Sequence, residues 1–439
     1  MSLDATLTQP ARRAARRGAA TTAWRPAQLA RGTAILVYAV ACGALLVLRR
    51  PDALTHAQFW AEDGMYWFGD AYNMGLQALV TPHTGYFQTL SRFSGELGVL
   101  VGIGNAPLAM NSVALAVHLA PSLFIVSRRF EHLIPSLATR CLLGFLFIVI
   151  PNSEAFGNIT NGHWFLATLA LMVLVARPAR TRAGQVGDMA VFLLCSLSGP
   201  FVIAFVPIAF FMWRATRSRE HLAFLAAGVP IALLQGISTL ANMSSRAKGP
   251  LGANTKDFIR IVSDRIVVPA ATGRQSDLDL YSISWGSRGL LWATLIALAG
   301  AAIVGVAALW GPLELKLTIL FGGFVLLITL LSPQIHNTLP QWPLMTSTLA
   351  GERYFVIPVI TFTLCVVWAI SRLPYAALRG AVAVPLLALL LYGAGNHWQY
   401  TPYGDLHPER NVTLLDRAPS GSVVTLTDVP GWTFQVTKR

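Results

Sequence analysis

Two adjacent carboxylates, Glu62 and Asp63, stand among five aromatic residues in the segment FWAEDGMYWF, residues 59–68. Neighbouring carboxylates repel each other and apolar surroundings disfavour their charged forms, so the pKa of at least one should be raised unless a cation lies nearby. A carboxylate with a raised pKa is suited to accepting a proton from a hydroxyl group. The sequence therefore predicts a catalytic acid pair and does not favour either residue as the base. The alternative is an aromatic membrane anchor with solvated acids.

Carboxylate oxygens also suit a divalent cation such as Mg²⁺ or Mn²⁺, so Glu62 and Asp63 are candidate metal ligands, although two acids alone are not a metal signature. The cysteines give no support for another metal. All four lie in hydrophobic segments with no C-x-x-C spacing, which argues against a zinc site or a disulfide framework.

The elements that position these residues belong to a membrane protein. Of the 439 residues, 54% are apolar and 12% are charged, and the mean hydropathy is +0.56. Runs of about 14 to 22 nearly uncharged residues recur, and most approach the length of a membrane-spanning helix. We predict an all-α polytopic membrane protein with about eleven transmembrane helices, at 33–48, 106–127, 137–151, 163–176, 186–199, 200–213, 221–240, 289–310, 317–332, 354–371 and 380–395.

Charge predicts the orientation. A cytoplasmic N-terminus assigns the whole formal charge of +13 to the cytoplasmic side, in agreement with the positive-inside rule. The prediction is a bacterial-type inner (plasma) membrane protein with a basic cytoplasmic N-terminus (1–32), a transmembrane domain (33–395) and an extracytoplasmic C-terminal tail (396–439). The basic loops explain the pI of about 10.1 without nucleic acid as a partner.

Three long outer loops are predicted, at 49–105, 241–288 and 333–353. Residues 49–105, here called the acidic loop, are too polar to span the membrane and rich in aromatic side chains, so we expect interfacial helices there. In the loop 241–288, KDFIRIVSDRIVVPA has the spacing of an amphipathic surface helix whose basic face would meet anionic lipid headgroups. The tail alternates β-forming residues around DVPG, which predicts a short hairpin.

A basic N-terminus, a hydrophobic helix, a long aromatic loop with an acidic pair and many further hydrophobic helices together resemble the GT-C superfamily of integral-membrane glycosyltransferases. Those enzymes take a sugar from a polyprenyl-phosphate or related lipid donor on the extracytoplasmic side. Their first outer loop carries a motif rich in Asp and Glu that supplies the catalytic base. The resemblance implies a GT-C-like fold in which Glu62 and Asp63 occupy the position of that motif.

Further candidates for substrate binding lie in three outer segments. Arg92, in the acidic loop, can approach a donor phosphate or sugar, with a snorkelling arginine as the alternative. GT-C enzymes commonly use a basic residue of a late outer loop for the donor phosphate, which favours Arg353, with Tyr354 beside it and His336 as a weaker candidate. The alternative for Arg353 is a structural pair with Glu352.

The third segment, PNSEAFGNITNGHWFLA, places several polar groups between two hydrophobic helices. Such a density of polar groups suits recognition of sugar hydroxyls. The alternative is helix capping by Asn161. The candidates are Glu154, Asn158, Asn161, His163 and Trp164.

We therefore predict a glycosyltransferase that moves a hexose or pentose from a polyprenyl-phosphate-linked donor to an extracytoplasmic glycan or lipid acceptor, in contact with membrane lipids. One alternative is a polysaccharide polymerase or ligase that uses a lipid-pyrophosphate donor. Another is a transporter or flippase of lipid-linked sugars, which would require charged residues within the helices.

Overall fold

The computed structural model describes residues 32–247, 249–274, 288–348 and 350–439. Almost all of the predicted basic N-terminus and part of the loop 241–288 lie outside the described residues. The described chain is a polytopic helical membrane protein with one small β-hairpin in its tail.

Each predicted hydrophobic segment forms a helix, with ends that differ by a few residues. In chain order these helices are α1 (Gly32–Arg49), α2 (Ala106–Phe124), α3 (Leu137–Val149), α4 (Gly162–Val175), α5 (Arg182–Ser196), α6 (Val202–Thr216), α7 (Arg219–Ala241), α8 (Gly289–Trp310), α9 (Leu313–Leu331), α10 (Val356–Ser371) and α11 (Ala376–Asn396).

Seven of these helices are long and apolar enough to cross a membrane: α1, α2, α7, α8, α9, α10 with the turn before it, and α11. The other four have only 13 to 15 residues. At about 1.5 Å per residue they reach roughly 20–23 Å, less than the ~30 Å hydrocarbon core. The structure thus supports a membrane-spanning role for seven helices. The total of eleven membrane-spanning helices stays a prediction.

Helices α9 and α11 each begin four residues earlier than predicted, because the prediction left the charged residues of their first turns in loops. Helix α9 begins at Leu313, so Glu314 and Lys316 belong to it, and α11 begins at Ala376, before Arg379. An acid in the first turn is favoured by the helix dipole, and a long basic side chain can extend to the helix end. The Lys316 ammonium does so by donating to the Leu309 carbonyl at 3.0 Å.

The short helix α4 forms the centre of the bundle, with all but one of its 14 residues buried. It packs against α2 and α5 and also contacts α6, α9 and α10. Aromatic contacts join the layers: Phe165 of α4 stacks on His118 of α2 at 3.6 Å, and Phe205 of α6 stacks on Phe321 of α9 at 4.9 Å between ring centroids. Helix α4 can therefore position groups at both of its ends.

The acidic loop is folded into helices, as predicted. They are Asp52–Thr55, the π-helical turn Asp63–Phe68, Gly69–Met74, the 3-10 turn Gly75–Val80 and Thr89–Val101. Gly95 lets Thr89–Val101 pack directly on the backbone of Trp67, because a side chain at position 95 would overlap it. The acid pair thus begins a helix that lies against a second helix of the same loop.

The predicted hairpin is present in the tail, after a helix at Pro408–Arg417. Strands β1 (Val423–Asp428) and β2 (Trp432–Thr437) pair antiparallel. Their turn packs on the acidic loop: Val429 exchanges backbone hydrogen bonds with Phe59 and Ala61, and the Phe434 ring lies 5.9 Å from that of Phe59. The tail is therefore part of the folded domain and covers the segment that carries the acid pair.

The predicted amphipathic helix in the loop 241–288 has a different environment from the one expected. A helix spans Thr255–Val262 and continues through a π-helical turn at Ser263–Val267. Arg265 does not point to lipid headgroups but is buried, where it donates to the Met345 carbonyl at 2.7 Å and lies 3.6 Å from Glu352. A carboxylate and carbonyl acceptors within the fold make this position favourable for a guanidinium.

Candidate active site

A cavity of about 450 Å³ lies where α4 and α6 begin and where α7 and α9 end, against the acidic loop. Six of the eleven predicted site residues line the cavity: Glu62, Asn161, His163, Trp164, Arg353 and Tyr354. Residues from three predicted segments that are distant in sequence are thus brought together around one space.

Glu62 is the member of the acid pair that faces the cavity. Burial raises the pKa of its carboxyl, and the Arg353 guanidinium lowers it in part. The preceding residue, Ala61, has φ of 51°, a left-handed conformation that is uncommon outside glycine. Its N–H donates to the Val429 carbonyl at 2.6 Å, so the turn of the tail hairpin holds the backbone in the conformation that precedes Glu62.

Asp63 points away from the cavity and is fully buried. One of its oxygens accepts from the Thr160 N–H at 2.9 Å and from the Thr160 hydroxyl at 2.7 Å. The Trp67 indole N–H donates to that hydroxyl at 2.8 Å. Burial raises the pKa of Asp63 to about 7, although the bonds from Thr160 favour the charged form. Asp63 therefore joins the acidic loop to the start of α4.

A third carboxyl, Asp428, approaches the acid pair from the tail hairpin and was missed by the sequence analysis. It is 2% exposed, and a methyl group at Gly64 would lie 2.5 Å from its Oδ2. Burial, and then repulsion by Asp63 and Glu62, raises the pKa of Asp428 to about 8. Asp428 therefore keeps its proton at neutral pH. Only the Asp–Val–Pro–Gly turn signal marked this position in sequence, and it indicated a turn rather than a site.

Arg353 is held at the cavity by several acceptors. Its guanidinium forms an ion pair with Glu154 and donates to the Gln334 carbonyl at 2.6 Å, and its Cζ lies 4.7 Å from the centre of the Tyr354 ring. The alternative pair with Glu352 is not formed, because Glu352 is directed to Arg265 and to the Ser153 hydroxyl, 3.0 Å away. Arg353 thus presents a fixed positive charge to the cavity.

The two asparagines of the third predicted segment brace the turn that precedes α4. Asn158 and Asn161 both donate to the Glu154 carbonyl, at 2.8 and 3.1 Å, and Asn158 accepts from the Asn161 N–H at 3.1 Å. Asn161 is the residue before α4, but its side chain makes no capping hydrogen bond. Only Asn161 of the two lines the cavity.

Arg92 and His336 lie outside the cavity lining. Arg92 is buried and pairs with Asp70 at 2.6 Å, donates to the Tyr66 carbonyl at 2.7 Å and lies 5.0 Å from the Trp67 ring centre. His336 sits in a turn, where its Nδ1 accepts from the backbone N–H groups of Thr338 and Leu339. The structure therefore gives both residues partners within their own segments.

Two further residues line the cavity that the sequence analysis had not placed among its leading candidates. Arg246, from the outer loop 241–288, donates to the Thr84 carbonyl at 3.0 Å and to the Ser332 hydroxyl at 3.1 Å. His83 lies 4.1 Å from the Tyr66 ring, and burial, helped by the charge of Arg92, lowers its pKa to about 4. His83 is therefore a neutral imidazole at physiological pH.

The wall that α6, α7 and α9 contribute is mainly apolar and forms a groove beside the polar groups. Its side chains include Ile203, Leu240, Phe324, Val325 and Ile328. A carboxylate, two guanidiniums and an apolar groove together can hold an amphipathic anion next to a proton acceptor.

No group of three or more His, Cys, Asp or Glu side chains in the described part of the chain is arranged to hold a metal ion. Compared with protein-family models, with curated proteins and with solved structures, the chain has no match.

Proposed function

We propose that this protein is a GT-C-type glycosyltransferase that moves a sugar from a polyprenyl-phosphate donor to a glycan or lipid acceptor on the extracytoplasmic side. The observation that carries the proposal is that Glu62 and Arg353 line one cavity that also has a mainly apolar wall from α6, α7 and α9. A base, a cation for phosphate and a path for a lipid chain are the three requirements of such a transfer.

Glu62 is the proposed general base. The acceptor hydroxyl gives its proton to the Glu62 carboxylate while its oxygen bonds to the anomeric carbon, and the bond between that carbon and the phosphate oxygen breaks. The electron pair of the broken bond leaves with the polyprenyl phosphate. Because burial raises the pKa of Glu62, its carboxylate is a stronger base than a solvated one.

Arg353 is the proposed phosphate ligand. Negative charge grows on the leaving phosphate during transfer, and a guanidinium already fixed by Glu154 and the Gln334 carbonyl stabilises it without reorganising. Asn161, His163 and Trp164 line the same cavity and are the proposed contacts for sugar hydroxyls and rings. Asp63 and Asp428 do not line the cavity and are proposed to position the segment that carries Glu62.

A second candidate function is supported by Arg246. Two arginines line the cavity, and two cations suit a donor with two phosphates. A polysaccharide polymerase or ligase that uses a lipid-pyrophosphate donor would need both. The two candidates differ in the lipid product, which is polyprenyl phosphate in the first and polyprenyl pyrophosphate in the second.

The test uses the full chain in lipid vesicles, supplied with a radiolabelled pentose or hexose on undecaprenyl phosphate or on undecaprenyl pyrophosphate, together with extracted cell-envelope glycan and lipid acceptors. We expect label transfer from the monophosphate donor and release of undecaprenyl phosphate. Glu62→Gln should lower the rate of transfer by at least about 10²-fold, whereas the matched control Glu409→Gln, at an exposed position of the tail, should leave it unchanged.

Transfer from the pyrophosphate donor alone would favour the polymerase or ligase. Transfer that is equal in the wild type and in Glu62→Gln would reject the assignment of the base. Label that crosses the vesicle membrane on its intact lipid, without transfer, would support the flippase.

A further inference from the structure

A second cavity, of about 510 Å³, lies at the opposite end of the same bundle. Helices α4, α9 and α10 run between the two cavities. In α9, Thr329 lines the first cavity and Glu314 lines the second. In α4, Trp164 lines the first cavity and Val175 lines the second. Fifteen residues of α9 span about 22 Å at ~1.5 Å per residue. The inner parts of the two cavities come within about one helical turn, because Thr168 and Ile357 line the second cavity and Trp164 and Tyr354 the first. In a bilayer whose hydrocarbon core is ~30 Å thick, the outer ends at Thr329 and Glu314 therefore face different leaflets.

The deep part of the second cavity is apolar. It is formed mainly by aliphatic and aromatic side chains of α3, α4, α9 and α10, such as Leu143, Phe147, Met172 and Leu364. Its volume is within the range of about 300–1,000 Å³ that is usual for ligand pockets. An apolar space of this size between membrane helices suits a hydrocarbon chain rather than a polar solute.

The ionisable side chains of the lining all come from helix ends. His132 precedes α3, Glu314 is in the first turn of α9, and Arg372 directly follows α10. His132 and Glu314 face each other at 3.5 Å. Ser136 and Arg372 are exposed, so the cavity reaches the surface of the protein between them. Its mouth is thus at the depth of lipid headgroups.

Polar atoms of the lining lack partners within the protein. The indole Nε1 of Trp368, the Nδ1 of His132 and the hydroxyl of Thr361 are buried and have no hydrogen-bond partner in the described ranges. Most buried polar atoms in native proteins are satisfied, and a ligand in this cavity could supply the missing partners. Trp368 and His132 are near the mouth, where headgroup and ester oxygens would lie.

Arg372 sets the charge of that ligand. Its guanidinium is exposed, lies 5.6 Å from the Trp368 ring centre and has no carboxylate partner across the described part of the chain. Cytoplasmic loops with unpaired arginines attract anionic headgroups. An arginine beside an indole N–H offers two donors that match the oxygens of a phosphate.

We propose that this second cavity binds one anionic phospholipid of the leaflet opposite the candidate active site, with an acyl chain between α3, α4, α9 and α10. The phosphate accepts hydrogen bonds from Arg372 and from the Trp368 N–H. The site is separate from the cavity of Glu62 and does not depend on the reaction proposed there.

The test is native mass spectrometry of the full chain in detergent, titrated with phosphatidylglycerol, with phosphatidylcholine or with undecaprenyl phosphate. We expect the wild type to retain one phosphatidylglycerol in preference to phosphatidylcholine. Arg372→Gln should weaken that binding at least about tenfold, since hydrogen bonds to charged groups contribute ~1.5–3 kcal/mol and tenfold corresponds to 1.4 kcal/mol. Arg379→Gln, a matched control one turn into α11, should leave it unchanged.

A second variant, Leu364→Trp, fills the apolar part and should abolish retention, with thermal unfolding as a check that it folds. Equal retention in Arg372→Gln and Arg379→Gln would overturn the proposal, as would equal retention of the two phospholipids. Retention of undecaprenyl phosphate but not phosphatidylglycerol would also overturn it, because the occupant would then be an isoprenoid lipid.

Discussion

Glu62 and Asp63 are neighbours in sequence with the same chemistry, and the fold gives them opposite environments. Glu62 lines a cavity opposite Arg353, whereas Asp63 is enclosed between Thr160 and the tail, with Asp428 nearby. Successive residues of a helical turn point in directions roughly 100° apart, so neighbouring acids can have different surroundings. The lesson is that an acidic pair need not act as a pair: here one carboxylate faces a cavity and the other is hydrogen-bonded within the fold.

The difference between Glu62 and Asp63 is tested most directly by neutralising each acid alone. Glu62→Gln should lower the rate of sugar transfer by about 10² to 10⁴, the usual contribution of a general base. Asp63→Asn should keep transfer within about tenfold, because the amide oxygen can still accept both bonds from Thr160. Rates are measured in vesicles with equal amounts of folded protein. A larger loss in Asp63→Asn than in Glu62→Gln would reverse the two roles.

The second prediction compares two arginines: Arg353, which lines the cavity, and Arg92, which is buried outside it. Arg353→Lys removes the guanidinium fork at the cavity and should lower transfer about 10²- to 10³-fold, and the loss of bonds to Glu154 and Gln334 should also lower the free energy of unfolding. Arg92→Lys loses charged hydrogen bonds to Asp70 and Tyr66 and should lower the free energy of unfolding by about 1.5–3 kcal/mol with little loss of transfer. Transfer rates and denaturant unfolding are measured on both variants. Equal effects on transfer would place Arg92 in the site.

The smallest expected effect concerns the enclosed carboxyls and depends on pH. The pKa of Asp428 rises from the usual 3.8 to about 8 in the folded state. The folded protein then binds more protons than the unfolded chain between these values, so the contribution of Asp428 to stability is full below pH 3.8 and is lost as the pH rises through about 8. Between pH 6 and pH 9 the Tm should fall by a few degrees, because each pH unit below the folded pKa removes up to ~1.4 kcal/mol.

Asp428→Asn, which cannot ionise, should show a smaller fall over the same range. Thermal unfolding of the two proteins in matched buffers measures the difference. A Tm that falls equally in both would show that Asp428 does not carry the pH dependence.

Hydrophobicity predicted the helices well, because a run such as 289–310 has to be buried or placed in lipid whatever its neighbours are. It also predicted α3 to α6 as short runs of 14 to 15 residues, but it could not decide whether they cross the membrane, since runs of about this length fit both a short span and a buried helix. The first turn of α9 was placed in a loop because Glu314 and Lys316 are charged, although the helix dipole and a flexible stem make them acceptable there.

The candidate site was predicted from residue types near the ends of hydrophobic runs, and that reasoning found Glu62 and Arg353. It gave Arg92 the same role, because sequence cannot show that Asp70 and the Tyr66 carbonyl occupy its guanidinium. It also missed Asp428, whose contact with the acid pair crosses almost the whole described chain. Partner choice and long-range contacts depend on packing, which local patterns do not encode.

The contact between the tail hairpin and the acidic loop also has a kinetic consequence. The backbone bond from Ala61 to Val429 closes a loop that contains every helix from α2 to α11. Closing so long a loop costs entropy that only an already compacted chain can offset, so this contact is expected among the last to form. A folding intermediate would then have its helices in place while Glu62 is still unconstrained, and competence for chemistry would appear only when the two distant segments dock.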